Sequence, residues 1–111
     1  MRILILYDIK KGSVKYSDWH DGFTRAIELL KMDKFIDIEM ININENGKPE
    51  LNNYDIVFIK WGFGSCMQNY AVQYFRKNKR KCKLGIFISS IRIPTEEEIN
   101  LYDIMFYETE W

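Results

Sequence analysis

The sequence predicts one α/β domain on a mainly parallel sheet of five strands. Three observations carry this. The runs 2–7 and 55–60 are apolar through most of their length, as strands covered on both faces must be. Stretches with apolar residues at helical spacing lie between such runs. Strand and helix patterns alternate along the chain, which selects α/β over segregated α and β halves.

The first strand spans 2–7 and ends at Asp8, before Lys10-Lys11-Gly12-Ser13. Trp19, Phe23, Ala26, Ile27 and Leu30 then fall on one helical face. Ser17 or Asp18 suits the N-cap of that helix. Residues 35–43 alternate, with Ile36, Ile38 and Met40 on one side and Phe35, Ile41 and Ile43 on the other. This is an edge-strand pattern, and Asn44-Glu45-Asn46-Gly47-Lys48-Pro49 supplies turn chemistry after it. The third strand is 55–60. Trp61-Gly62-Phe63-Gly64 makes a tight connection, and Ser65 with Gln68 fits a capping box. Met67, Tyr70, Ala71, Tyr74 and Phe75 form the stripe of the second long helix, which ends in a basic run, 76–83. Residues 84–88 are the fourth strand. Thr95 and Glu98 fit a second capping box, for a short helix, and 104–107 is the fifth strand.

Right-handed crossovers restrict the topology. With the third strand beside the first, the order is 2-1-3-4-5 and the two long helices lie on opposite faces. The result is a three-layer, Rossmann-like or flavodoxin-like domain. Tyr54-Asp55-Ile56-Val57-Phe58 recurs as Tyr102-Asp103-Ile104-Met105-Phe106, each time at the start of a buried strand. Nothing else recurs with it, so it marks polar loops entering the core rather than a repeat architecture.

Composition excludes several functional classes. Sixteen basic residues balance 16 acidic ones, so no overall field favours nucleic acid. The basic run 76–83 suits a helix C-terminus. No apolar run reaches the length of a membrane span. Two cysteines far apart form neither a disulfide framework nor a metal pattern. A cytoplasmic, soluble protein is expected, with no nucleic-acid partner and no metal.

Open α/β sheets bind ligands beyond the carboxyl ends of their strands, where strand order reverses. Here those are the loops after strands one and three. Gly62 and Gly64 allow close backbone approach, and Ser65 opens a helix whose free N–H groups favour an anion. The same residues also suit a plain strand-to-helix turn. Met67 stands where a dinucleotide fingerprint would place its last glycine. Gly12 and Ser13 face this turn from the first loop, with Phe63 between the two glycines of the second. His20 reads either as a surface residue beside its helix cap or as part of an acceptor pocket. Glu108 ends the fifth strand at the same edge.

Trp19-His20-Asp21-Gly22-Phe23-Thr24-Arg25-Ala26, the turn Trp61-Gly62-Phe63-Gly64-Ser65 and Tyr102-Asp103-Ile104-Met105-Phe106-Tyr107-Glu108-Thr109 together resemble the N-terminal half of a GT-B glycosyltransferase of the family 1/family 4 type. The resemblance spans essentially the whole chain. It implies an acceptor-side domain, with Gly12 near the donor phosphates and His20 and Gly62 to Ser65 on the acceptor side of a cleft. It implies a nucleotide-sugar co-substrate for a longer parent protein, and no cofactor held by this domain alone. The partner would be a C-terminal donor domain, without which the chain is inactive, together with a small-molecule or glycan acceptor. Response-regulator and flavodoxin patterns fit less well, because Lys60-Trp61 replaces the acceptor Asp of the former and the first loop lacks the hydroxyls of the latter. A second reading is a non-enzymatic binding or dimerisation module with an anion site at a helix N-terminus. One long helix per face covers five strands thinly, so a second copy could complete the layers.

Overall fold

The computed structural model describes residues 1–7, 22–43, 47–61, 67–88 and 95–107. The elements are β1 (Arg2–Tyr7), α1 (Gly22–Leu30), β2 (Asp37–Asn42), β3 (Ile56–Trp61), α2 (Met67–Lys77), β4 (Lys83–Ile88), α3 (Glu96–Leu101) and β5 (Ile104–Tyr107). A short 3-10 turn, Leu51–Asn53, lies between β2 and β3. The five strands form one sheet in the order β2-β1-β3-β4-β5. Every neighbouring pair is parallel. The fold class and strand order are those the sequence predicts.

Register sorts the side chains into two layers. Leu4, Leu6, Val57, Ile59, Leu84 and Ile86 point to one face and are essentially inaccessible. Ala71 and Tyr74 of α2 pack on them, as do Leu51 and Tyr54 of the β2-to-β3 connection. Ile5 and Ile38 point to the other face, where Ile27 of α1 packs between them, and Ile3, Met40 and Phe58 flank that contact. The two long helices therefore lie on opposite faces.

The β2-to-β3 connection is tied down by tyrosines. The Tyr70 hydroxyl donates to the Pro49 carbonyl. The Tyr74 hydroxyl donates to Glu50 Oε2 at 2.8 Å and accepts from the Asn52 N–H at 3.3 Å. Asn52 also spans to the loop after α2: its amide donates to the Lys79 carbonyl and its oxygen accepts from the Lys81 N–H, both at 2.9 Å. These bonds satisfy a loop that would otherwise bury unpaired backbone groups.

Both Tyr-Asp dipeptides do the same work. The Asp55 N–H donates to the Arg2 carbonyl at 2.9 Å, while Asp55 Oδ2 accepts the Arg2 N–H at 2.8 Å. The Asp103 N–H donates to the Leu84 carbonyl at 2.8 Å, while Asp103 Oδ2 accepts the Leu84 N–H at 2.8 Å. Each carboxylate replaces a backbone acceptor where the neighbouring strand begins, and so pins register. Tyr54 and Tyr102 bury their rings beside these clamps.

Three sequence expectations need correction or completion. β2 is shorter than the run 35–43, and Phe35 is 84% exposed rather than part of an inner face. The apolar pattern of β3 predicts cover on both faces, yet Phe58 is only half-buried, while Ile104 and Phe106 of β5 on the same face are exposed. Both arginines of the basic run are held in ion pairs. Arg76 makes a two-pronged pair with Glu97 of α3, and Arg80 makes another with Asp103 at 2.7 and 3.0 Å. The Thr95–Glu98 capping box forms as expected. The N-cap at Ser17 or Asp18 and the Ser65–Gln68 box fall at least partly outside the described residues.

Burial pushes the Asp103 carboxyl upward, but the Leu84 N–H, Arg80 and Lys83 outweigh it and hold the group below its ordinary 3.8. A lowered folded value adds stability above the unfolded value, and that stability is lost as pH falls through the folded one. Asp103→Asn should cost about 1–2 kcal/mol at neutral pH, discounted because the pair is about a third exposed. Urea denaturation should show that wild type and variant converge as pH drops below 3.8.

Candidate functional site

The site follows from where the chain changes direction. From β1 the chain passes through α1 to β2 on one side; from β3 it passes through α2 to β4 on the other. Adjacent strands thus send their following segments to opposite faces. A crevice opens between the carboxyl ends of such strands. Here the strands are β1 and β3, with Leu6 in register with Ile59, and their described residues end at Tyr7 and Trp61. Asn42 closes β2 beside Tyr7 and is buried, with its polar contacts met.

Gly12, Ser13, His20, Gly62, Phe63, Gly64, Ser65 and Glu108 all lie outside the described residues. Their places along the chain are nonetheless informative. Gly12, Ser13 and His20 come between Tyr7 and the start of α1, and Gly62 to Ser65 between Trp61 and the start of α2. These are the two segments that follow the neighbouring ends of β1 and β3. Glu108 follows β5, which lies two strands beyond β3, or ~10 Å at the usual strand spacing. Its strand does not border the crevice.

Other clusters have structural explanations. At the amino-terminal edge, Arg2 lies over the Tyr54 ring at 4.8 Å and donates to the Asn53 carbonyl at 3.1 Å. The Tyr54 hydroxyl donates to Glu39 Oε2 at 2.6 Å. Each of these groups meets a partner within the chain. A groove of about 210 Å³ between α2 and α3 is lined by Val72, Phe75 and Leu101, with the Arg76–Glu97 pair at its side. It falls short of the ~300 Å³ at which ligand pockets begin. Cys82 is a free buried thiol, pushed upward chiefly by burial, and so is a poor nucleophile. Among the described residues no group of three potential metal ligands converges. No described helix is long and apolar enough to cross a membrane.

The sequence did not reveal the Tyr54–Glu39 pair, since 15 residues separate the partners. Burial, then the bond to Glu39 and its charge, push the Tyr54 hydroxyl up to about 12 from 10.0, against the pull of Arg2. A raised folded value leaves stability intact below 10.0 and removes it as pH climbs toward about 12. Tyr54→Phe should therefore cost about 1 kcal/mol near neutrality. In an ultraviolet titration it should delete one late-ionising tyrosine from the seven in the chain.

No protein-family model, curated protein or solved structure matches the chain, so a functional reading rests on the topology and the residues themselves.

Proposed function

We propose that this domain binds a small ligand in the crevice between the ends of β1 and β3, as the acceptor-side half of a GT-B type glycosyltransferase. The carrying observation is the reversal between β1 and β3 in an all-parallel sheet, with α1 and α2 on opposite faces. That arrangement supports a ligand edge at the two segments that hold Gly12, Ser13 and His20 on one side and Gly62, Phe63, Gly64 and Ser65 on the other. The transferase role rests on the resemblance of residues 19–26, 61–65 and 102–109.

In this reading the glycines let backbone approach the ligand, and Ser65 with the amides after it receives oxygen atoms. His20 is the chain's single histidine and the one side chain whose ordinary titration lies near neutral pH. It would receive an acceptor hydroxyl. The nucleotide-sugar belongs to a donor domain facing the crevice, and this half alone turns nothing over. A cytoplasmic setting accompanies the proposal.

An amide-resolved NMR titration tests it. Small glycans should shift amides at and just after Tyr7 and Trp61, and leave the amino-terminal edge around Arg2 and Asp55 unmoved. Shifts with inorganic phosphate alone would favour the simpler anion-binding module. Shifts with neither, at saturating concentrations, would remove the ligand edge from consideration.

A further inference from the structure

The face that carries α1 is built as a step. Ile27 seats α1 against Ile5 of β1 and Ile38 of β2. Beyond it, the β3–β5 part of that face has a floor of Phe58, Gly85, Phe87, Ile104 and Phe106. Phe106 stacks between Phe58 and Phe87, with ring centroids 5.6 and 6.3 Å away. A side chain at Gly85 would meet the Phe58 ring at 2.9 Å, so the glycine lets that ring lie across β4. Ile104 remains 48% exposed and Phe106 42%. The floor is aromatic, half-buried at Phe58 and Phe87 and exposed at Ile104 and Phe106.

The ridge beside it is apolar on its outer side. At 100° per residue, Leu30, Ala26 and Leu29 sweep from the sheet-facing Ile27 outward along one flank. Leu29 is 64% exposed and Leu30 46%. Met32 and Phe35, in the turn that follows, are 77% and 84% exposed.

We infer that a second copy of this chain covers the face, each copy seating its α1 ridge on the partly exposed β3–β5 floor of the other. Three features select a second copy. First, the dimensions agree. The floor is three strands wide, ~14 Å, and the nine-residue α1 is about 14 Å long. Second, ridge and floor sit side by side on one molecule. A twofold axis therefore brings each ridge to the partner's floor, the self-complementary contact that isologous dimers require. Third, the area suffices. Leu29, Leu30, Met32, Phe35, Ile104 and Phe106 expose apolar surface on the order of 700 Å², close to the ~800 Å² per partner of stable complexes. A net charge of zero sets no repulsion against the association.

Light scattering across a concentration series tests the inference. The mass should rise from 13.4 kDa toward twice that value. Leu29→Glu should return the monomer mass while keeping the circular dichroism spectrum and melting temperature, because Leu29 touches little within one chain. Phe106→Arg should also give a monomer, with some loss of melting temperature from the lost stacking. Mixing the two variants should restore the doubled mass, since the ridge glutamate of one meets the floor arginine of the other. A wild type that stays at 13.4 kDa at its highest concentration overturns the inference. So does a Leu29→Glu chain that still dimerises. Failure of the mixed variants to pair overturns the ridge-to-floor seating.

Discussion

The structure depends on two carboxylates that hold strand register. A parallel strand slipped by one residue would turn its inner face outward. Asp55 fixes β3 against β1 and Asp103 fixes β5 against β4, each by a bond in both directions with one residue of the neighbour. Charge-assisted bonds of this kind are about twice as strong as neutral ones. The buried rings of Tyr54 and Tyr102 then enter the core beside a fixed point rather than a sliding one. The α2-side core of Leu4, Leu6, Val57, Ile59, Leu84 and Ile86 follows from that alignment.

The clamps also separate the two edges of the sheet. At the amino-terminal edge the clamps, the Arg80–Asp103 pair and the Tyr54–Glu39 bond occupy the polar groups with one another. Arg2, Glu39, Asp55, Arg80 and Asp103 look functional as a group of charges, but each has a partner within the fold. The carboxyl edge carries a different chemistry: glycines, serines and one histidine lie in the segments that follow β1 and β3. Stability concentrated at one edge leaves the other free to vary with function, the division of labour seen generally in α/β sheets.

The sheet order was legible because it depends on patterns local to each element. Two-sided apolar runs marked β1 and β3, helical stripes marked α1 and α2, and crossover handedness did the rest. The Thr95–Glu98 cap was legible for the same reason: its partners lie three residues apart. What escaped were contacts between distant residues. The Tyr-Asp echo was visible, but its meaning lay in N–H groups 53 and 19 residues away. The basic run read as a helix end, yet Arg76 and Arg80 were already committed to Glu97 and Asp103, 21 and 23 residues further on. The ends of β1 and β3 are placed as neighbours, but the proposed ligand-facing residues themselves lie outside the described part of the chain, so topology alone speaks for that site.

The neighbouring ends of β1 and β3 and the uneven cover of the two faces have one origin. Right-handed crossovers place a connection on one face when the chain moves one way along the sheet, and on the other when it moves back. Only β1-to-β2 runs in the first direction, so among the described helices α1 alone lies on that face. The β2-to-β3 connection, α2 and α3 all belong to return moves. The first two supply Leu51, Tyr54, Ala71 and Tyr74 to the opposite core, with Leu101 of α3 packed against it. The reversal puts the carboxyl ends of β1 and β3 side by side. The same reversal distributes the described helices unequally, and Ile104 and Phe106 of β5 are left exposed on the face that carries α1. One winding rule thus accounts both for the neighbouring ends of β1 and β3 and for the uneven cover of the two faces among the described residues.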